Sequence, residues 1–142
     1  MKSSALIMAH SLLCIVTGIA FSMYAPLMMA FFGIPEALGD PIAYWQVTSF
    51  ARLFGISQLG FGLVLLALRG SIDSFSVNVR RGFLSALMLA NLLGIVVAIT
   101  QQQAVWLSLA GWIVTGLFTL LFIGYLILFV NNQKAVDHLS SI

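Results

Sequence analysis

The stretch from Pro41 to Arg69 is apolar over a length that can cross a lipid bilayer. A spanning helix needs roughly 20 residues at about 1.5 Å of rise per residue, and residues 50–68 nearly supply that length. Asp40 and Pro41 form a helix start signal. An aspartate caps the first turn of a helix, and a proline is tolerated at the first position because a backbone N–H there would have no partner within the helix. Polar and small residues inside the stretch indicate packing against protein rather than lipid alone. These residues are Arg52, Gly55, Gln58, Gly60 and Gly62.

Composition extends this conclusion to the whole chain. Only 7% of the 142 residues are charged and 61% are hydrophobic, whereas soluble domains carry about 25% charged residues. The chain cannot cover itself with a solvated surface, so we expect a single integral membrane domain over residues 1–142. A net charge of +2, without a basic cluster that includes aromatics, gives no reason to expect nucleic acid as a partner. The single Cys14 excludes an intrachain disulfide.

The apolar runs predict an all-α protein, a four-transmembrane-helix antiparallel bundle. The predicted helices cover about residues 5–32, 41–69, 82–100 and 106–130. Lys2 before an apolar run resembles a signal peptide, but the run continues to Phe32, longer than a signal core, so we expect a first span. Pro26 is expected to kink this helix. The short connection at residues 101–105 makes the last two helices antiparallel neighbours.

Charge predicts the orientation in the membrane. With four spans, five basic residues fall on one side, and both termini are therefore expected in the cytoplasm. The opposite side carries acidic residues and glutamines, together with aromatic residues that suit the membrane interface. The basic residues are Lys2, Arg69, Arg80, Arg81 and Lys134; the residues expected opposite include Glu36, Asp40, Tyr44, Trp45 and Trp106.

A ladder of small residues recurs every fourth position in the third predicted helix. Such a face permits close backbone approach, on which helix association in lipid depends. We expect an internal contact of the bundle, with an interface to another subunit as the alternative. The ladder is Gly82, Ala86, Ala90, Gly94 and Ala98.

Polar residues from all four helices fall near mid-depth in the membrane. We expect them to hydrogen-bond across the bundle, because an unpaired amide in hydrocarbon is costly. The alternative is a small cavity for the polar head of a lipid or quinone. The residues are Thr17, Gln58, Asn91, Thr115 and Thr119.

Arg52 is the leading candidate for ligand or headgroup binding, with Thr48 and Ser49 at helical spacing from it. It lies near the outer interface, about two turns inside the aromatic pair. We expect an ion pair with Glu36 or Asp40, or a side chain that reaches the headgroups. The alternative is recognition of an anionic group at the outer leaflet.

No catalytic constellation is evident in the sequence. Intramembrane carboxylate pairs, metal-spaced clusters and phosphate loops are missing from it, so we predict no catalytic residue, metal or cofactor. His10 and His138 both fall toward the cytoplasmic side, and His138 lies in the tail. A membrane haem site usually needs two facing histidines, so we expect His10 to be hydrogen-bonded near a helix end, with ligation of a haem or chlorophyll as the alternative.

The segment Ala51–Arg69 (ARLFGISQLGFGLVLLALR), set among four short spans and a turn-rich outer loop, resembles small uncharacterised bacterial membrane proteins of the DoxX-like type. The resemblance implies a four-helix protein of the bacterial inner membrane, some of whose relatives accompany quinone-linked oxidoreductases. The resemblance depends on an arginine and glycines of the second predicted helix, and it assigns no catalytic residue.

Three classes of function follow. The chain's size favours a non-enzymatic accessory or structural subunit, packed against a larger membrane complex or assembled as a homo-oligomer. Its expected partners are membrane lipids and other membrane protein subunits or copies of itself. The alternative is a binder of a lipophilic ligand, lipid or quinone, with a redox-linked enzymatic role. A channel or transporter ranks last, because four helices without intramembrane acids must oligomerise to form a pore.

Overall fold

The computed structural model describes residues 3–34, 40–106 and 108–140, with side chains up to Asn132. Every regular element in these ranges is helical, which confirms the all-α prediction. The helices are α1 (Ser3–Met23), α2 (Ala25–Phe31), α3 (Pro41–Leu68), α4 (Val77–Gln101) and α5 (Leu109–Ser140), with a 3₁₀ turn at Ile72–Ser74 and a π-helical turn at Gln102–Trp106.

Four of these helical segments are long and apolar enough to cross a membrane. They are α1, α3, α4 together with the π-helical turn, and α5 as far as Asn132. Large apolar side chains cover their outer faces, with Phe50 72%, Leu109 76% and Leu120 68% exposed. Each exposed Å² of apolar surface costs about 25 cal/mol in water, so such faces suit a hydrocarbon solvent. Length and composition therefore confirm the prediction of a multi-pass membrane protein.

The first predicted helix is divided in two. Tyr24, with φ −119° and ψ 35°, separates α1 from α2, and Pro26 lies in the first turn of α2. The break precedes the proline because its ring disfavours helical backbone in the residues before it. Helix α2 ends at Phe31, and Gly33, two residues beyond, has a φ of 81°, a left-handed conformation that glycine adopts freely.

Helix α3 begins where the sequence predicts. The Asp40 side chain accepts hydrogen bonds from the backbone N–H groups of Ile42 at 2.9 Å and Ala43 at 3.4 Å. Pro41 follows in the first turn. These two residues therefore start the helix as a capping aspartate and an N-terminal proline do in general.

Helices α4 and α5 differ from their predicted bounds. Helix α4 begins at Val77, five residues before the predicted start, because the Ser76 hydroxyl caps its first turn by accepting from Val79 N–H. The polar segment expected to be a loop thus contributes its two arginines to a helix. The predicted connection between the last two helices forms the π-helical turn, and α5 runs from Leu109 to Ser140, beyond its predicted end near residue 130.

Helices α1 and α3 pack backbone to backbone through glycines. A Cβ on Gly18 would lie 2.6 Å from the Leu59 nitrogen, and one on Gly55 would lie 2.5 Å from the Ser22 nitrogen. The Ser11 hydroxyl adds a bond to the Gly62 carbonyl at 2.8 Å. Since dispersion and hydrogen bonds join helices in lipid, this close backbone contact stabilises the pairing of α1 with α3.

The two helix pairs, α1 with α3 and α4 with α5, meet at the end that carries Arg69, Arg80 and Arg81, here named the arginine end. A buried apolar cluster joins all four helices and the 3₁₀ turn there, with Ile7 and Tyr125 0% exposed. The cluster consists of Ile7, Leu65, Ile72, Leu84, Leu87, Leu121, Tyr125 and Leu128.

The opposite end carries Trp45 and Trp106 and is here named the tryptophan end. The Phe32 and Trp106 rings lie 5.0 Å apart between centroids and join α2 to the π-helical turn. Trp45 is half-exposed, as an interfacial residue is, whereas Tyr44 is buried. Tyr44, which is expected in the aromatic belt at the membrane interface, is therefore packed inside the protein.

Candidate functional site

Arg52 lies on the exposed surface of α3, and one of its two predicted companions shares that surface. Ser49 is exposed, and its hydroxyl donates to the Trp45 carbonyl at 2.8 Å. Thr48 is 1% exposed and donates to the carbonyl four residues earlier at 2.8 Å and to Met29 Sδ at 3.2 Å. Thr48 therefore faces α2, and the three residues do not form one site.

The expected ion pair between Arg52 and Asp40 is not formed. The Asp40 carboxylate caps α3 instead, and twelve residues of helix separate the two side chains by about 18 Å along the axis. The described residues contain one ion pair, and it joins Arg80 to Asp73. Glu36, the other expected partner, lies outside the described residues.

The mid-depth polar residues bond within their own helices. Four of them donate to the carbonyl four residues earlier, and none of the hydrogen bonds between described residues joins members of the set on different helices; the bond from Thr119 to the Thr115 carbonyl lies within α5. The donors are Thr17 at 2.8 Å, Asn91 at 2.7 Å, Thr115 at 2.9 Å and Thr119 at 2.8 Å. The prediction of hydrogen bonds across the bundle is therefore wrong for them, because a short side chain on a helix reaches its own preceding carbonyl before a neighbouring helix.

Gln58, the fifth member of this set, is half-buried on the surface of α3 beside Phe54, Ser57 and Phe61. Asn91 is 2% exposed, and its Oδ1 has no partner among the described residues. Gln58 and Asn91 do not line a common pocket, because Gln58 faces outward and Asn91 faces inward. These two residues therefore do not support the alternative of a cavity for the polar head of a lipid or quinone.

The small-residue ladder of α4 divides between two faces. Gly82, Ala86 and Ala90 are exposed, and a Cβ on Gly82 would meet nothing within 4 Å. Ala98 is 2% exposed, and a Cβ on Gly94 would lie 2.7 Å from the Phe118 ring. The expectation of an internal contact is therefore wrong for the first three residues, and the alternative of an interface to another subunit stays a prediction for them.

Helix geometry explains this division. A step of four residues advances about 400° around an α-helix, so each step drifts about 40° from the last, and the ladder turns about 160° over its length. The buried face of α4 instead follows alternating steps of four and three. Its residues are Leu84, Leu87, Asn91 and Ala98, with the half-buried Gly94 between the last two.

His10 and Tyr125 form a hydrogen bond between the two helix pairs that the sequence did not reveal. His10 Nδ1 lies 2.8 Å from the Tyr125 hydroxyl, and the Phe61 ring packs edge-on at 5.8 Å. His10 is 6% exposed, so it is the hydrogen-bonded histidine near a helix end that we expect, and this packing favours it over ligation of haem or chlorophyll. The side chain of His138 lies outside the described residues.

The arginine end holds a polar cluster that the sequence also did not reveal. An Arg80 Nη atom donates to Asn132 Oδ1, and another lies 3.9 Å from Asp73 Oδ1. Three further nitrogens are buried without a partner among the described residues: Arg80 Nε, Arg81 Nε and Asn132 Nδ2. Recognition of Ser76 as a helix cap would have placed both arginines on α4 rather than in a loop. Of the other basic residues, Lys2 and the side chain of Lys134 lie outside the described residues.

Within the described ranges, no three histidine, cysteine, aspartate or glutamate side chains gather in a way that could hold a metal ion. No protein-family model, curated protein or solved structure matches the chain. The resemblance to DoxX-like proteins therefore stays a prediction.

Proposed function

We propose that the chain is a single four-span antiparallel bundle of a bacterial inner membrane, with both termini in the cytoplasm. The order of contacts supports the antiparallel arrangement of α1 and α3, because Ser11 meets Gly62 whereas Ser22 meets Gly55. For α4 and α5, Arg80 meets Asn132 and Gly94 meets Phe118, again in reversed order. The three arginines at one end support a cytoplasmic location for that end.

We propose further that the protein is an accessory or structural subunit, which packs through α4 against a larger membrane complex or against a second copy. The single observation that carries this proposal is the exposed small-residue face of α4, formed by Gly82, Ala86 and Ala90. Small side chains facing outward offer little contact to lipid but allow another helix to approach closely. This role accords with the DoxX-like resemblance, which we retain as a hypothesis.

Leucine substitutions at three alanines test this role. Ala90→Leu is expected to reduce association, measured by co-purification in mild detergent, while the stability of the isolated chain is unchanged. Ala98→Leu is expected to destabilise the chain itself, because Ala98 is 2% exposed. Ala67→Leu, at an exposed position of α3, is the control and leaves both properties unchanged.

The proposal fails if Ala90→Leu and Ala67→Leu retain the same partners in the same amounts. It also fails if the unmodified protein is a monomer that purifies alone in every mild detergent tested. A loss of association confined to Ala90→Leu is the supporting result.

A binder of a lipophilic ligand is the second candidate, and the exposure of Arg52 favours it. The guanidinium shares the surface of α3 with the exposed Ser49, at the tryptophan end. Mass spectrometry of lipids and quinones that purify with the protein tests this candidate. Loss of one species in Arg52→Ala supports it, whereas an unchanged profile contradicts it.

A further inference from the structure

The polar cluster at the arginine end has more hydrogen-bond donors than acceptors. Arg80 Nε, Arg81 Nε and Asn132 Nδ2 all carry N–H groups, and all three are buried without a partner among the described residues. Asn132 is 6% exposed, so its amide is almost fully removed from solvent. Leaving such a donor unpaired costs about 1–3 kcal/mol and more for a charged group, so the cluster favours an added acceptor.

The position of these donors reinforces the preference for an anion. Arg80 and Arg81 are the fourth and fifth residues of α4, at the end where the helix dipole is positive and anions bind favourably. Asp73 lies 3.9 Å from Arg80, but its side chain is 59% exposed, and an exposed ion pair is weak. Among the described residues this is the one carboxylate within ion-pair distance of the two arginines, so one of the two guanidinium charges has no counterion there.

We propose that Arg80, Arg81 and Asn132 form a binding site for the phosphate of an anionic lipid headgroup. A phosphate offers several acceptor oxygens, and arginine binds phosphate through two parallel N–H bonds. Arg80 keeps 24% of its side-chain surface exposed, which gives a phosphate access to the guanidinium. The flexible arginine stems then turn the remaining N–H groups toward the bound oxygens.

A lipid is the favoured source because of the depth at which the cluster lies. The buried apolar residues Ile72 and Leu84 lie at the same end, so the guanidinium groups fall at the boundary between hydrocarbon and water. Lipid phosphates occupy that boundary. This step rests on the membrane placement proposed above and is independent of the subunit role.

Native mass spectrometry of the full chain in detergent tests the site. Dioleoyl phosphatidylglycerol, dioleoyl phosphatidylcholine and inorganic phosphate are each added, and the bound species are counted. The protein is expected to retain phosphatidylglycerol in preference to phosphatidylcholine. The hydrogen bonds that one arginine donates to the phosphate contribute about a fivefold change in affinity, so Arg80→Gln with Arg81→Gln is expected to lower retention about 25-fold.

Two further variants separate a built site from general positive charge. Asn132→Ala leaves the net charge unchanged and is expected to lower retention about fivefold, because it removes a donor. Arg69→Gln removes one charge at the same end, from a side chain that donates to Met8 Sδ at 3.1 Å, and is expected to change retention less than twofold.

The melting temperature of each variant in phosphatidylcholine serves as the control for correct folding. If the double variant fails to fold, Arg81→Gln alone replaces it, because Arg81 forms no hydrogen bond or ion pair with another described residue. This single variant is expected to lower retention about fivefold. Equal losses in Arg69→Gln and Arg81→Gln, or no loss in Asn132→Ala, overturn the site. Retention of inorganic phosphate that competes fully with phosphatidylglycerol overturns the lipid as its ligand. If the variants keep their retention of phosphatidylglycerol while partners still co-purify with the protein, this inference alone is contradicted and the subunit proposal stands.

Discussion

At the scale of single residues, glycines determine how closely α1 and α3 approach. At Gly18 and Gly55, backbone atoms of the partner helix lie within 3 Å of the position that a Cβ would occupy. Gly60, on the same helix as Gly55, is exposed and would accept a Cβ without any contact within 4 Å. The sequence shows all three glycines alike, because only the path of the partner helix distinguishes a packed glycine from an exposed one.

Gly55→Ala is expected to destabilise the protein by about 1–3 kcal/mol, since its Cβ meets backbone that cannot rotate away. Gly60→Ala is the matched control, and we expect it to be neutral or to stabilise by up to about 1 kcal/mol, because alanine is the better helix former. Unfolding in mixed detergent micelles, followed by circular dichroism, measures both. Equal stability of the two variants would contradict the close contact.

The His10–Tyr125 bond yields a second prediction at this scale. Tyr125→Phe removes the hydroxyl that lies 2.8 Å from His10 Nδ1, and we expect a loss of about 0.6–2 kcal/mol, the range of interhelical hydrogen bonds in membranes. Tyr24→Phe is the control, because Tyr24 is 61% exposed. The same unfolding assay applies, and an unchanged Tyr125→Phe protein would show that the bond contributes nothing.

At the scale of helices, local chemistry predicts ends better than faces. Asp40 and Pro41 predicted the start of α3 because capping depends on neighbours in sequence alone. The predicted start of α4 lies five residues too late, because the Ser76 hydroxyl caps the helix ahead of its apolar run. The predicted buried face of α4 is also wrong, because the ladder of small residues drifts around the helix while packing follows steps of three and four.

Asp40→Ala is expected to speed hydrogen exchange at the Ile42 and Ala43 amides about fivefold, because capping is worth about 1 kcal/mol. Asp40→Asn retains an oxygen that can cap and is expected to keep the slow exchange. Arg52→Ala distinguishes capping from an ion pair, because it leaves both amides protected if Asp40 only caps α3. Faster exchange in Arg52→Ala would mean that Asp40 and Arg52 interact.

At the scale of the whole molecule, the apolar content and the four long helices follow from the sequence, because both are determined by composition and local pattern. Neither the junction of the two helix pairs nor the polar contact between α4 and α5 follows from it. His10 with Tyr125, and Arg80 with Asn132, lie far apart in the chain, and no local pattern relates them. The candidate site at the arginine end therefore emerged only from the packing of α4 against α5.

The most direct test of the account is the location of the chain's two ends relative to the membrane. A fluorescent protein that matures only in the cytoplasm and a phosphatase active only outside it are fused in turn to each terminus of the full chain. Four spans predict fluorescence and no phosphatase activity at both termini. Fluorescence at one terminus with phosphatase activity at the other would contradict an even number of spans, and with it the four-helix account.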